Sequence, residues 1–163
     1  MPASGKSTAG VILAKLLGMD FLDTDLLIQR REGGRLNEIL DIRGLEAFLR
    51  CEEAVVLSVD VDDTVIATGG SVIYSPKAMR RLAERGTVVY LKVGREELFG
   101  RLKNIHERGV VLKDGESLSD MYENRKALYE KYADIIVEEK DYSIEDTVRN
   151  IIERVKAEEG RDA

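Results

Sequence analysis

One cysteine, Cys51, and one histidine, His106, stand in 163 residues. A single thiol excludes an internal disulfide and fits a reducing compartment. The lone histidine has no partner carboxylate or further metal ligand placed beside it by the sequence, and reads as a solvated side chain. No apolar run approaches membrane-spanning length and no signal-peptide pattern opens the chain, so the expectation is a cytoplasmic protein with no membrane partner. An excess of positive charge is also lacking. The formal net charge of −6 argues against a nucleic-acid partner. It leaves room for a local basic site that holds nucleotide phosphates. Internal repeats and low-complexity linkers are absent. What is present, 44% hydrophobic and 34% charged residues, suits one folded domain over 1–163 with a real core, expected to act as a monomer. Only 156–163, with four charged residues after Lys156, reads as a solvated tail.

The chain starts on its most informative stretch. Met1-Pro2-Ala3-Ser4-Gly5-Lys6-Ser7-Thr8 is the phosphate-binding loop pattern GxxxxGK[ST] without its first glycine, which would precede Met1. Gly5 lets backbone approach a phosphate, and successive N–H groups of the loop, from Ser4 through Thr8, can turn toward it. Lys6 can reach the β- and γ-phosphates, and the Ser7 hydroxyl can ligate Mg²⁺. An apolar helical run, Val11, Ile12, Leu13, Leu16 and Leu17, follows directly, so a helix N-terminus would face the anion. Such a loop normally hangs from a buried strand. That first strand is expected to be missing from this chain, which should destabilise it and weaken its hold on ATP.

Phe21-Leu22 leads into Asp23-Thr24-Asp25, read as a strand that delivers two carboxylates on one side of an extended segment at its C-terminal end. The competing reading is that the aspartates cap the next helix. Gly33-Gly34 breaks the chain before two helices, 36–42 and 45–59. In the second, Leu45, Phe48, Cys51 and Val55 share one face, so Cys51 reads as a small core residue, and Glu46 with Arg50 as a solvated pair. The β-branched run Thr64-Val65-Ile66-Ala67-Thr68 is a buried strand running into Gly69-Gly70-Ser71, where paired glycines suggest a ligand close to backbone. Ser75-Pro76 starts a helix, 87–92 is a further strand, and 95–103 a further helix. The polar stretch 104–117 carries Arg108 and reads as a lid over the site. A helix at 118–132, a strand at 135–137 and a final helix opened by Ser143 complete the alternation. The expected fold is α/β: a parallel sheet with flanking helices.

The loop, DTD, the TGG turn, the arginine-bearing lid and ENRKALYEKYAD, in this order, resemble shikimate kinase over essentially 1–155. That resemblance implies a P-loop NTPase fold of the nucleoside-monophosphate-kinase-like kind and ATP-dependent phosphorylation of a ring hydroxyl of shikimate, in the route to aromatic amino acids. It further implies roles for residues. Lys6 would stabilise the transferring γ-phosphoryl group. Ser7 would ligate Mg²⁺, with Asp23 supporting the ion through water. Asp25 would contact the acceptor hydroxyls and serve as base. Gly69 and Gly70 would line the acceptor pocket, Arg108 would stabilise phosphate charge, and Arg125 would clamp the acceptor's carboxylate. Adenine contacts are expected near 140–142.

The departures fall on the acceptor side. The family's second carboxylate-binding arginine follows a phenylalanine, and here Phe48 is followed by Leu49. Arg50 lies about 100° further round the helix and is a poor replacement. Ser71 stands for the third glycine of the family's GGG, Gly109 for the lid's proline, and Ala127 for the proline expected before Leu128. A planar carboxylate is best held by two arginine forks. The expectation is therefore either shikimate with a high Michaelis constant or a different small hydroxylated acid. A nucleotide-binding regulatory module with weak turnover is the reading from another functional class.

Overall fold

The computed structural model describes residues 1–102, 110–113, 115–139 and 143–160. Along them run α1 (Lys6–Leu17), β1 (Asp20–Asp23), α2 (Thr24–Glu32), α3 (Leu36–Arg43), α4 (Leu45–Ser58), β2 (Thr64–Ala67), a 3-10 turn (Val72–Tyr74), α5 (Pro76–Arg85), β3 (Val89–Val93), α6 (Arg95–Arg101), α7 (Leu118–Tyr132), β4 (Ile135–Glu139) and α8 (Ile144–Glu159). The helix ends follow from local chemistry. Gly18 and Gly33 take left-handed φ values of 69° and 73° as C-caps, a region that costs a residue without Cβ nothing. Ser75, Ser117 and Ser143 each accept a backbone N–H as N-cap. The helix that carries Val148 and Ile151 runs on to Glu159, so the first four residues of the expected tail are helical.

All strand pairing among the described residues is parallel, as the alternation of elements demands. β1 lies beside β2 with Phe21 opposite Val65, and β3 lies beside β4 with Leu91 opposite Val137. The two pairs are separate sheets, and β2 and β3 share no ladder. Helix α1 packs on both. Gly10 abuts Phe21 and Val65 of the first pair, and Ala9 shares a core cluster with Leu91, Ile135 and Val137 of the second. The loop's first residues sit between the two C-terminal strand ends. Met1 is buried with Tyr90 and Val93, while Pro2 lies against Gly70.

The helix expected after the loop is α1, and its buried stripe is made of its small residues, Ala9, Gly10 and Ala14, while Val11 and Leu16 are 50% and 64% exposed. Close approach of helix to strands needs small side chains, and that requirement overrides the apolar pattern. Asp23 and Asp25 do not share an extended segment. β1 ends at Asp23, whose carboxylate caps α2 by accepting from the Asp25 N–H at 2.9 Å, so Asp25 stands in the first helical turn.

Gly10 measures how tightly α1 is held against the first strand pair. A Cβ there would lie 2.7 Å from the Phe21 ring. Gly10→Val is expected to destabilise the fold by about 1–3 kcal/mol through overpacking. Urea unfolding should show a lower midpoint with an unchanged slope.

Candidate active site

A cleft of about 360 Å³ opens where the loop meets the C-terminal ends of β1 and β2. Its walls come from 2–8, from Asp25, from 68–71, from Glu52 on α4 and from Arg125 on α7. The loop is held in its turn by Ala3 and Gly5, both left-handed at φ 54° and 77°, and by the Ser4 hydroxyl, which donates to the Met1 carbonyl at 2.9 Å. Left-handed residues of this kind turn successive N–H groups toward one side, as an anion site needs. Gly5 leads directly into α1, so the helix N-terminus faces the same space. Lys6 Nζ donates to the Met1 carbonyl at 2.5 Å. Burial pulls its ammonium below the ordinary lysine range, and the carboxylates of Asp25 and Asp23 work in the opposite direction.

The DTD corner joins both halves of the cleft. The Ser7 hydroxyl donates to Asp23 at 2.7 Å, so the residue that caps α2 also reaches the phosphate loop. These are hard oxygen donors, and they fit a Mg²⁺ ion that also takes oxygens from nucleotide phosphates. Thr24 is fully buried, and its hydroxyl accepts the Gly69 N–H at 3.2 Å, tying the end of β1 to the chain leaving β2. Asp25 faces the cleft, and burial, with help from Asp23, pushes its carboxyl up to about 6.

Bare Cα atoms at Gly69 and Gly70 make room for the acceptor side. A Cβ on Gly69 would lie 2.2 Å from Glu52 Oε1 and 2.7 Å from Asp25 Oδ1. One on Gly70 would press on Pro2 and on the Arg125 guanidinium. Arg125 is 1% exposed. Its N–H groups donate to the Tyr74 hydroxyl at 3.2 Å, to the Gly70 carbonyl at 3.1 Å and to the Val111 carbonyl. Tyr129 Oη donates to the same Gly70 carbonyl at 2.6 Å.

Lys6, Ser7, Asp23, Asp25, Gly69, Gly70 and Arg125 are thus brought together. Arg108, His106 and most of the expected lid 104–117 lie outside the described residues, as do 140–142. Of that segment, Val110 and Val111 line the cleft. No second arginine joins Arg125 among the described lining residues. Leu49 packs into the apolar cluster of Ile28, Ile39 and Phe48, Arg43 pairs with Glu32 at 2.5 Å, and exposed Arg50 pairs with Glu46. Cys51 is half-buried and hydrogen-bonds Glu32, and burial pushes its thiol up, away from nucleophilic use. Two residues of the site went unread in the sequence. Thr24 hid between the aspartates. Glu52 follows Phe48 by four and precedes Val55 by three, so a carboxylate sat on an apolar helical face. That mismatch was the available signal.

A sequence profile of the family described as shikimate kinase matches residues 2–156. A shikimate kinase of Paracidovorax citrulli is 37% identical over 142 residues, covering 84% of this chain and 78% of its own. One of Legionella pneumophila is 35% identical over 158 residues, covering 95% and 90%. The fold superimposes on the shikimate kinase of Acinetobacter baumannii in complex with shikimate at TM-score 0.88 and 29% identity, covering 96% of this chain and 89% of that one. For the enzyme of Aquifex aeolicus the values are 0.83 and 30%, with 96% and 92% covered.

The brace at Thr24 can be tested apart from chemistry. Thr24→Val keeps the shape and removes the acceptor, which leaves a buried Gly69 N–H unpaired. Stability is expected to fall by about 1–3 kcal/mol, read by chemical denaturation.

Proposed function

The chain belongs to the shikimate kinase family, and from that membership together with the chemistry of the cleft we propose that it transfers the γ-phosphoryl group of ATP to a ring hydroxyl of shikimate. The observation that carries this reading is that a phosphate loop, the Asp25 carboxyl and the buried Arg125 guanidinium line one small cleft. The acceptor hydroxyl attacks the γ-phosphorus, the bond from phosphorus to the β–γ bridging oxygen breaks, and the hydroxyl proton passes to Asp25. Lys6 leaves the Met1 carbonyl for the phosphates and stabilises charge on the transferring group. Ser4, Gly5 and Thr8 supply loop N–H groups to the phosphates. Ser7 and Asp23 would hold Mg²⁺, which when bound neutralises phosphate charge. Gly69 and Gly70 give the acceptor ring a floor, and Arg125 turns donors to its carboxylate. Arg108, from the proposed lid 104–117, would add positive charge over the phosphates while water is excluded.

A second acceptor is favoured by one observation. Arg125 has no arginine beside it among the described lining residues, so an acid group held by a single fork should bind more weakly. A related hydroxylated acid with its carboxylate elsewhere would suit that site.

ADP release with and without shikimate separates these readings. Release stimulated by shikimate is expected, with a high Michaelis constant. Asp25→Asn should lower kcat by about 10²–10⁴-fold with little change in the KM for ATP, because Asp25 acts on the acceptor. Lys6→Ala should abolish transfer. Near-normal turnover by Asp25→Asn would remove Asp25 from the role of base.

A further inference from the structure

Tyr74 ends the 3-10 turn that follows the glycine pair, and it is half-buried. The turn is anchored by Val72 and Ile73, which are buried in a cluster with Val56, Ala78 and Met79. The Tyr74 hydroxyl accepts from Arg125 Nε at 3.2 Å. Of the three groups that the guanidinium donates to among the described residues, this is the one supplied by a side chain; the others are the carbonyls of Gly70 and Val111. Nε carries a single N–H, which Tyr74 takes, so the N–H groups left over sit on the two Nη atoms. Those are the ones that meet both oxygens of a planar carboxylate end-on. The ring has a second neighbour. Lys113 Nζ lies 5.2 Å from its centroid and Arg125 Cζ 5.3 Å, so one aromatic ring gathers two cations from separate segments. Lys113 is exposed, but its segment is pinned to α7. The Lys113 backbone N–H donates to the Glu116 carboxylate at 3.1 Å, and the side chain of Asn124, next to Arg125, donates to the same carboxylate at 3.2 Å.

We propose that Tyr74 is a positioning residue for the acceptor's acid group: its hydroxyl sets the rotation of the Arg125 fork, and its ring keeps the Lys113 ammonium beside that fork as a second positive charge. This rests on the kinase reading for the identity of the acceptor. Leu49 packs into the apolar cluster of Phe48 and brings no charge to the cleft, whereas Lys113 is brought to the same ring as Arg125. A fork already held at Nε need not be ordered by the ligand, and that pre-organisation strengthens binding. An ammonium is a point charge without a fork, so Arg125 supplies direction and Lys113 supplies attraction. Neither Tyr74 nor Lys113 lines the cleft wall. Both act on the acceptor at second hand, Tyr74 through Arg125 and Lys113 through its field. The effect therefore falls on affinity for an anionic acceptor and on its preference over a neutral one, and leaves the transfer step itself alone.

The test compares shikimate with its methyl ester, which keeps the ring hydroxyls and loses the negative charge. Tyr74→Phe deletes the hydroxyl and keeps the ring. It should raise the KM for shikimate about three- to tenfold, with kcat and the KM for ATP little changed. The preference for acid over ester, as a ratio of kcat/KM values, should shrink with it, because a general disturbance would lower both substrates alike. Lys113→Gln should lower the same ratio about two- to fivefold in wild type and by less in Tyr74→Leu, where the ring beneath the ammonium is gone. Equal losses on acid and ester in Tyr74→Phe, or an effect of Lys113→Gln as large in Tyr74→Leu as in wild type, overturn the proposal. Hydrogen exchange of the Arg125 Nε–H, followed by NMR, needs no turnover. It should be faster in Tyr74→Phe than in wild type, and equal rates overturn the proposal as well. Faster exchange without shikimate-stimulated ADP release by wild type would count against the kinase reading and leave the hold of Tyr74 on Arg125 standing. If Tyr74→Phe does not fold, Lys113→Gln decides: a lowered ratio supports the proposal, and an unchanged ratio overturns it.

Discussion

A guanidinium shut away from water holds the acceptor side in place. Arg125 reaches across from α7 to Gly70, to Tyr74 and to Val111, three points on two separate segments. Hydrogen bonds from a charged donor are worth about 1.5–3 kcal/mol each, and here the alternative partner, bulk water, is absent. The Gly70 carbonyl takes a second donor from Tyr129, whose ring stacks on Tyr90 with centroids 4.9 Å apart. Gly70 in turn rests on Pro2. One continuous line of contacts therefore runs from α7 through the glycine pair to the phosphate loop. That line would fix the distance between nucleotide and acceptor by packing, as phosphoryl transfer requires.

The strand pairs would be independent without a second device. α1 lies against both, and the smallness of Ala9, Gly10 and Ala14 allows it to come close enough to do so. The helix whose N-terminus faces the anion site is thus also a principal joint of the core. Thr24 repeats the theme on a smaller scale, fastening the end of β1 to the glycine turn after β2. Lining the cleft and packing the core fall on the same few residues, and Arg125 and Glu52 are as buried as the apolar core.

Most of the architecture was legible because its signals are local. Capping serines, terminal glycines and β-branched runs each act within a few residues, and the parallel pairing follows from their alternation. The phosphate loop was legible because its chemistry is linear in sequence. The acceptor side was less so. Asp23 does two jobs at once, cap and phosphate-loop partner, and sequence reasoning set these against each other as alternatives. Burial on α1 is decided by how near two backbones come, which hydrophobicity does not encode. Glu52 meets Gly69 and Asp25, residues that are remote in sequence, only in the folded chain.

The double duty of α1 has a consequence for the life of the protein in a cell. A ligand that binds the folded form alone adds stability by mass action, about 2.7 kcal/mol at a hundred times its dissociation constant. Nucleotide held at Gly5 and Lys6, as proposed, would rest directly on the helix that packs on both strand pairs. Its binding energy would enter a seam of the core rather than a peripheral loop. The resistance of this chain to unfolding and proteolysis would then be tied to the energy charge of its surroundings, with survival of the polypeptide and supply of its own substrate linked through one helix.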